Sequence, residues 1–170
     1  MRPGQDRHDL AAEVMGLLYP EDVGFLRGIT LGERISDIGE REGRTPRPDG
    51  PGAALDYEVT DPLSHGRTLT LKFHQQQGRA STATAFFVSQ NRMDVDSVYR
   101  LVRKHLQACH GRPSKQMTGV LKFIWRHDGE LPTETSVCRY KNNDTGENIL
   151  EVATRLADGV RITGHNKPGS

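Results

Sequence analysis

The chain has 170 residues, enough for one domain or two small halves sharing a core, and its 34% hydrophobic content implies a thin core with generous loops. A formal net charge of +1 excludes the global positive bias of a typical nucleic-acid binder and leaves room only for a local basic patch. No apolar run approaches the roughly 20 residues that span a bilayer, and the opening M-R-P-G-Q-D-R-H-D-L lacks the apolar core of a signal peptide. The expected compartment is therefore cytoplasmic, with a periplasmic or secreted protein as the alternative if a leader has been removed.

Residues 1–7 read as disordered or tag-like. Asp9 then opens a short helical pattern through Leu10, Val14, Leu17 and Leu18, ended by Pro20, so 1–25 is expected to be an N-terminal helical extension. A second helix is expected in I-T-L-G-E-R-I-S-D-I-G-E-R-E-G. There Ile29 or Leu31, Ile35 and Ile38 form the apolar stripe and Gly43 closes it, while Gly32 and Gly39 weaken it. Residues 44–53 are a Pro/Gly loop.

Three strands follow. Leu55, Tyr57 and Val59 alternate with Asp56 and Glu58, and Leu69, Leu71 and Phe73 alternate with Thr68, Thr70 and Lys72. The run S-T-A-T-A-F-F-V-S-Q is rich in β-branched and aromatic residues. D-P-L-S-H-G and Q-Q-Q-G-R supply hairpin turns.

Met93 to Pro113 holds the clearest helix. Val95, Val98, Tyr99, Val102, Leu106 and Cys109 fall on one stripe, with Asp94 as the expected N-cap and Gly111 suited to the left-handed stop. Its later turns carry Arg100, Arg103, Lys104, His105 and His110. The simple reading is a solvated basic face; the sharper one is a contact for nucleic acid or an acidic partner. Three more strands are expected, in G-V-L-K-F-I-W-R-H-D, T-S-V-C-R-Y-K and N-I-L-E-V-A-T-R, before a flexible tail at 159–170.

The order helix, strand, strand, strand thus occurs twice, over 26–90 and 91–158. One offset carries Gly43 to Gly111, Leu55 to Phe123 and Tyr57 to Trp125, which suggests a duplicated unit. The expected fold is α+β, with a mainly antiparallel sheet of about six strands and helices on one face.

Chemistry-bearing motifs are sparse. His8, His65, His74, His105, His110, His127 and His165 are scattered without zinc spacing, so neither a metal nor a cofactor is expected. His105 and Cys109, four apart on a helix, read as a polar contact at its end. His127-Asp128-Gly129-Glu130 reads as a hairpin turn, because Asp-Gly suits that backbone. Cys109 and Cys138 are expected to be free and half-buried, a disulfide being the alternative in an exported protein. No catalytic residue is assigned, and the chain is read as a non-enzyme.

The sheet face away from the helices is the expected site. Its first half is assigned Asp56, Glu58, Thr68 and Thr70, and its second half Lys122, Arg126, Arg139, Lys141 and Arg155. Asp56, Glu58, Lys122, Arg126, Arg139 and Lys141 are the residues expected to bind a protein partner, a toxin or an enzyme, through this split charge.

L-R-G-I-T-L-G-E-R-I-S-D-I-G-E-R-E-G resembles the opening of the small outer-membrane-assembly lipoproteins and of the β-lactamase inhibitory protein. D-V-D-S-V-Y-R-L-V-R-K-H-L-Q-A-C-H-G-R-P, followed by a Trp-bearing strand, looks like a second copy of that unit. The resemblance spans roughly residues 26–155. It implies helices on one face of a sheet whose other face binds a protein, and it carries over no catalytic residue. The functional expectation is a protein-binding inhibitor or immunity-type protein. The alternatives are an envelope or secretion-associated assembly module and a nucleic-acid-binding domain.

Overall fold

The computed structural model describes residues 3–21, 25–47, 54–60, 63 and 65–163. Three helices, α1 (Pro3–Leu18), α2 (Ile35–Glu42) and α3 (Arg92–His110), accompany seven strands. The strands are β1 (Ala54–Val59), β2 (Thr68–Gln76), β3 (Arg79–Ser89), β4 (Lys115–Met117), β5 (Lys122–His127), β6 (Thr133–Lys141) and β7 (Asn148–Leu156). They form one sheet in the order β1-β2-β3-β7-β6-β5-β4, antiparallel throughout. The fold is α+β as expected, with seven strands rather than six. β4 was not anticipated: its three residues are all exposed, so it has no apolar alternation to betray it.

The ladders join residues into rows that share a face. Leu55, Phe73, Ala83, Thr154, Thr135 and Trp125 make one row, and Tyr57, Leu71, Ala85, Val152, Val137 and Phe123 the next. Both rows lie beneath the helices, where their large apolar members are buried, apart from Tyr57, which is half-buried. β2 and β3 are joined by Gln77-Gly78, both at positive φ (52° and 73°), as the twist of a two-residue hairpin requires.

α1 begins at Pro3, so residues 3–7, expected to be disordered, are helical. Proline suits a first helical turn, where its missing N–H would have no partner in any case. Leu10, Ala11, Val14 and Leu18 are buried in the common core, and Tyr19 stacks on His105 of α3 with ring centroids 4.2 Å apart. The segment expected to be an extension is thus part of the cover over the sheet.

α2 is shorter than its apolar stripe. Gly32, at φ 94°, breaks the chain before it, leaving Ile29 and Leu31 buried but outside the helix. Here the chain runs beside β3, with Gly32 N–H on Ala80 O and Ala80 N–H on Glu33 O. Gly43 closes α2 in the left-handed conformation, as expected. A Cβ on Gly39 would stand 2.7 Å from Arg44 O, so the returning chain needs this glycine despite its cost in helix propensity.

α3 lies across β3, β7 and β6. Its N-cap is Asn91, whose side chain accepts from Met93 N–H, and not Asp94. Asp94 sits inside the first turn, 1% exposed, and accepts from Ser89 Oγ and Arg67 Nε, both at 2.8 Å. At the other end Gly111 takes a positive φ but not the left-handed ψ, and its carbonyl accepts from Trp125 Nε1 at 3.0 Å.

The order of the two three-strand meanders, joined through β3 and β7, is the order that two copies of one unit would give. Residue equivalence slips, however. The offset taking Tyr57 to Trp125 takes Ala85 to Ala153, and Ala153 faces the other side of the sheet. The hairpins differ as well: Gln77-Gly78 closes the first meander, whereas residues 142–147 close the second.

Asp94→Ala removes the acceptor from a nearly buried pair and is expected to cost about 3 kcal/mol. Arg41→Gln, at an exposed pair with Glu33, is expected to cost under about 1 kcal/mol. Urea unfolding of both variants checks this ordering, read as a shift of midpoint at constant slope.

Candidate functional site

Because side chains alternate across a strand, the remaining rows face away from the helices. One holds Asp56, Lys72, Thr84, Ala153, Ser136, Ile124 and Lys115, and its neighbour holds Glu58, Thr70, Phe86, Glu151, Cys138, Lys122 and Met117. Beyond these, Thr68, Val88, Ile149 and Tyr140 share one row, and Ala54, His74, Thr82, Arg155, Glu134 and Arg126 another.

Asp56, Glu58, Lys122 and Arg126 therefore stand where the sequence placed them, at opposite flanks of the open face. Asp56 is held by Arg47 at 3.1 Å, and Arg126 meets Asp128 at 3.4 Å on an exposed turn. Arg139 and Lys141 do not belong to this set. They share parity with Val137, so they point to the helix side at the end of β6. Arg139 Nη1 lies 2.7 Å from Asp96, and the guanidinium stands over the Tyr99 ring at 5.6 Å, so its charge pins α3 to the sheet. The first half is not purely acidic either, since Lys72 stands beside Asp56.

Charge alone, as read from the sequence, does not describe the centre of this face. Phe86, Val88, Ile124 and Ile149 are half-buried, Tyr140 and Met117 are exposed, and the small residues Thr84, Ala153 and Ser136 make a low floor between them. The available signal was the doublet Phe86-Phe87, which must send one aromatic ring to each face of a strand.

Three histidines reach neighbours on the helix side. His105 Nε2 lies 3.8 Å from Cys109 Sγ, so the expected contact forms. His110 and His127 approach edge-on with ring centroids 4.5 Å apart, and Phe25 packs on both. His127 Nε2 meets Thr135 Oγ1 at 3.0 Å, which in turn meets Thr154 Oγ1 at 3.2 Å. Burial, and then the nearby His110, holds the His127 imidazole below its ordinary pKa. A cavity of about 220 Å³ opens beside it, lined by Phe25, Leu31, Leu131, Thr133 and Thr154 among others.

Both cysteines are free, Cys109 exposed on α3 and Cys138 buried on the open face, so the thiols lie on opposite sides of the sheet. Burial pushes the Cys138 thiol up to about 11, which keeps it protonated and unreactive near neutral pH. Among the described residues no three His, Cys, Asp or Glu side chains are grouped to hold a metal ion, and no helix is long and apolar enough to cross a membrane. Comparison with protein-family models, with curated proteins and with solved structures finds no match to this chain.

A folded-state imidazole pKa below the unfolded value means that the unfolded chain binds the proton more readily. The stability contributed by neutral His127 is full above about pH 6.5 and is lost as pH falls through the folded pKa. The thermal midpoint is expected to drop between about pH 7 and pH 5, and to drop less in His127→Gln, which can keep the Thr135 contact. Equal slopes in the two proteins would assign the acid sensitivity to another group.

Proposed function

We propose that this protein is a non-enzymatic protein-binding module that neutralises a partner enzyme or toxin by covering the partner's active site with its open sheet face. The observation that carries this reading is the cluster of Phe86, Val88, Ile149 and Tyr140 on the face the helices leave uncovered, with Ile124 beyond Ser136 and Ala153 on the same face. A solvated antiparallel sheet face is normally polar along its whole length. Here the apolar cluster, with Glu151 opposite Phe86, is framed by Asp56 and Glu58 at one flank and by Lys115, Lys122 and Arg126 at the other, where Ile124 and Met117 also stand. That is the make-up of a protein interface, with an apolar, aromatic centre and a charged rim. The rim is charged at both flanks, with Asp56, Glu58 and Lys72 at one and Lys115, Lys122, Arg126 and Glu134 at the other, so a partner of complementary pattern would be oriented as well as attracted. The resemblance to the β-lactamase inhibitory protein supports inhibition as the outcome of docking. The docking residues are accordingly Asp56, Glu58, Lys122 and Arg126 with the apolar cluster, and Arg139 and Lys141 are left out.

The test uses tagged wild-type protein, Phe86→Asp and the rim double variant Lys122→Glu/Arg126→Glu, each checked for unchanged thermal unfolding. Affinity purification from the cells that make the protein is expected to recover one stoichiometric partner with the wild type. Phe86→Asp should weaken its capture by about tenfold or more, as loss of a central aromatic contact does, and the rim variant should chiefly slow association. The partner's own activity should fall when wild-type protein is added back. Equal capture by Phe86→Asp, or a partner that works unimpeded in the complex, would remove this reading.

A further inference from the structure

We propose that the groove along α3, bordered at Tyr99 by the β4–β5 turn, is a second docking site, one that takes an acidic peptide segment bearing an apolar residue. It lies on the helix side of the sheet, so it is separate from the open face and does not depend on the reading given to that face.

Tyr99, Arg100, Arg103, Lys104 and Gln107 line an open groove of about 330 Å³ along the outer side of α3. The Arg103 guanidinium stacks on the Phe123 ring at 4.0 Å, which fixes its plane while leaving its N–H groups available. Around the start of the same helix, Arg67, Arg92 and Arg139 are ion-paired with Asp94 and Asp96. Arg100, Arg103 and Lys104 differ: among the described residues no carboxylate lies within ion-pairing distance of any of them. Among the described residues, three cations therefore share one groove without a paired carboxylate.

The rim is apolar. Tyr99 donates its hydroxyl to Leu121 O at 3.3 Å, which brings the β4–β5 turn against the helix. Leu121 is held at φ 45°, a conformation that a bulky residue adopts at a cost, and still leaves its side chain 39% exposed beside Val120 at 48%.

Charge and shape together select the occupant. The two arginine forks match carboxylates, and Leu121 and Val120 offer a partner side chain an apolar seat. A nucleic acid fits less well. Three cations would neutralise only about three phosphates, which gives weak binding, and a phosphodiester backbone has nothing to place on the leucine.

The test is fluorescence anisotropy with three dye-labelled probes: a peptide of alternating glutamate and leucine, the same peptide with serine for leucine, and a single-stranded oligothymidylate. The full-length wild type is expected to bind the glutamate–leucine peptide saturably and the serine peptide more weakly. Arg100→Glu/Lys104→Glu, both exposed on one helix, should weaken the first peptide by about tenfold or more. Leu121→Gly, which relieves the backbone strain while deleting the seat, should weaken it severalfold. Phe86→Asp should bind it like the wild type, so failure of the sheet-face reading is told apart from failure of this one. Absent saturable binding, equal binding by the charge-reversal variant, or tighter binding of the oligothymidylate than of the peptide would overturn the proposal.

Discussion

The buried carboxylate of Asp94 is the constraint on which the arrangement of helices and sheet depends. It accepts from Ser89, the last residue of β3, and from Arg67, which stands immediately before β2. It also belongs to the first turn of α3. Ser89 Oγ receives the Asn91 N–H in addition, so the link from strand to helix is closed within a few residues. A carboxylate taken out of water is destabilising on its own, and the Arg67 charge and the Ser89 hydroxyl offset that cost only in one geometry. The direction in which α3 crosses β3, β7 and β6 follows from that geometry. α1 packs on α3, so the rest of the helical cover inherits it.

A second polar tie secures the other half of the cover. Arg27 makes a two-pronged contact with Glu42 and donates to Leu17 O, while Tyr57 donates its hydroxyl to the same carboxylate. One guanidinium thereby joins the end of α1, the short 3-10 turn at Leu26–Gly28, α2 and β1. Arg27 itself sits at φ 55°, a conformation that a non-glycine residue rarely adopts, and these contacts offset that cost. With α2, α3 and, through α3, α1 tied to one side, no helix among the described residues covers the apolar cluster on the other side of the sheet. That Phe86 and Ile149 stay only half-buried follows from the side of the sheet on which these polar bonds are made.

Much of this frame was legible in the chain. Val95, Val98, Val102 and Leu106 declare α3 by their spacing, and Leu69, Leu71 and Phe73 declare β2 and its covered side by alternation. What stayed hidden were decisions between chemically equivalent options. Asn91 and Asp94 both cap helices well, and only burial shows that Asp94 is engaged elsewhere. Arg139 was assigned to solvent because charges usually face water. The end of β6 overhangs Asp96, and an ion pair turned it towards the helix. Phe86 and Phe87 are equally apolar, so a one-residue choice of parity decided which of them is core. The first turns of α1 carry no apolar residue at all, so period analysis had nothing to detect there.

The same accounting of partners explains how a chain of net charge +1 can present a basic groove. Asp94, Asp96 and Glu42 all face inward and are held by Arg67, Arg139 and Arg27, which removes three acids and three bases together from the surface field. Asp56 is likewise matched by Arg47. Such pairs leave the net charge unchanged, but they determine where the unpaired remainder lies. Among the described residues, that remainder on the outer side of α3 is Arg100, Arg103 and Lys104, all within five consecutive positions of one helix. A formal sum over the sequence averages this patch away, since the sum contains no information on which charges have found each other. The electrostatic character of the helix side is therefore set by the interior salt bridges, and it becomes visible only once the fold has assigned them.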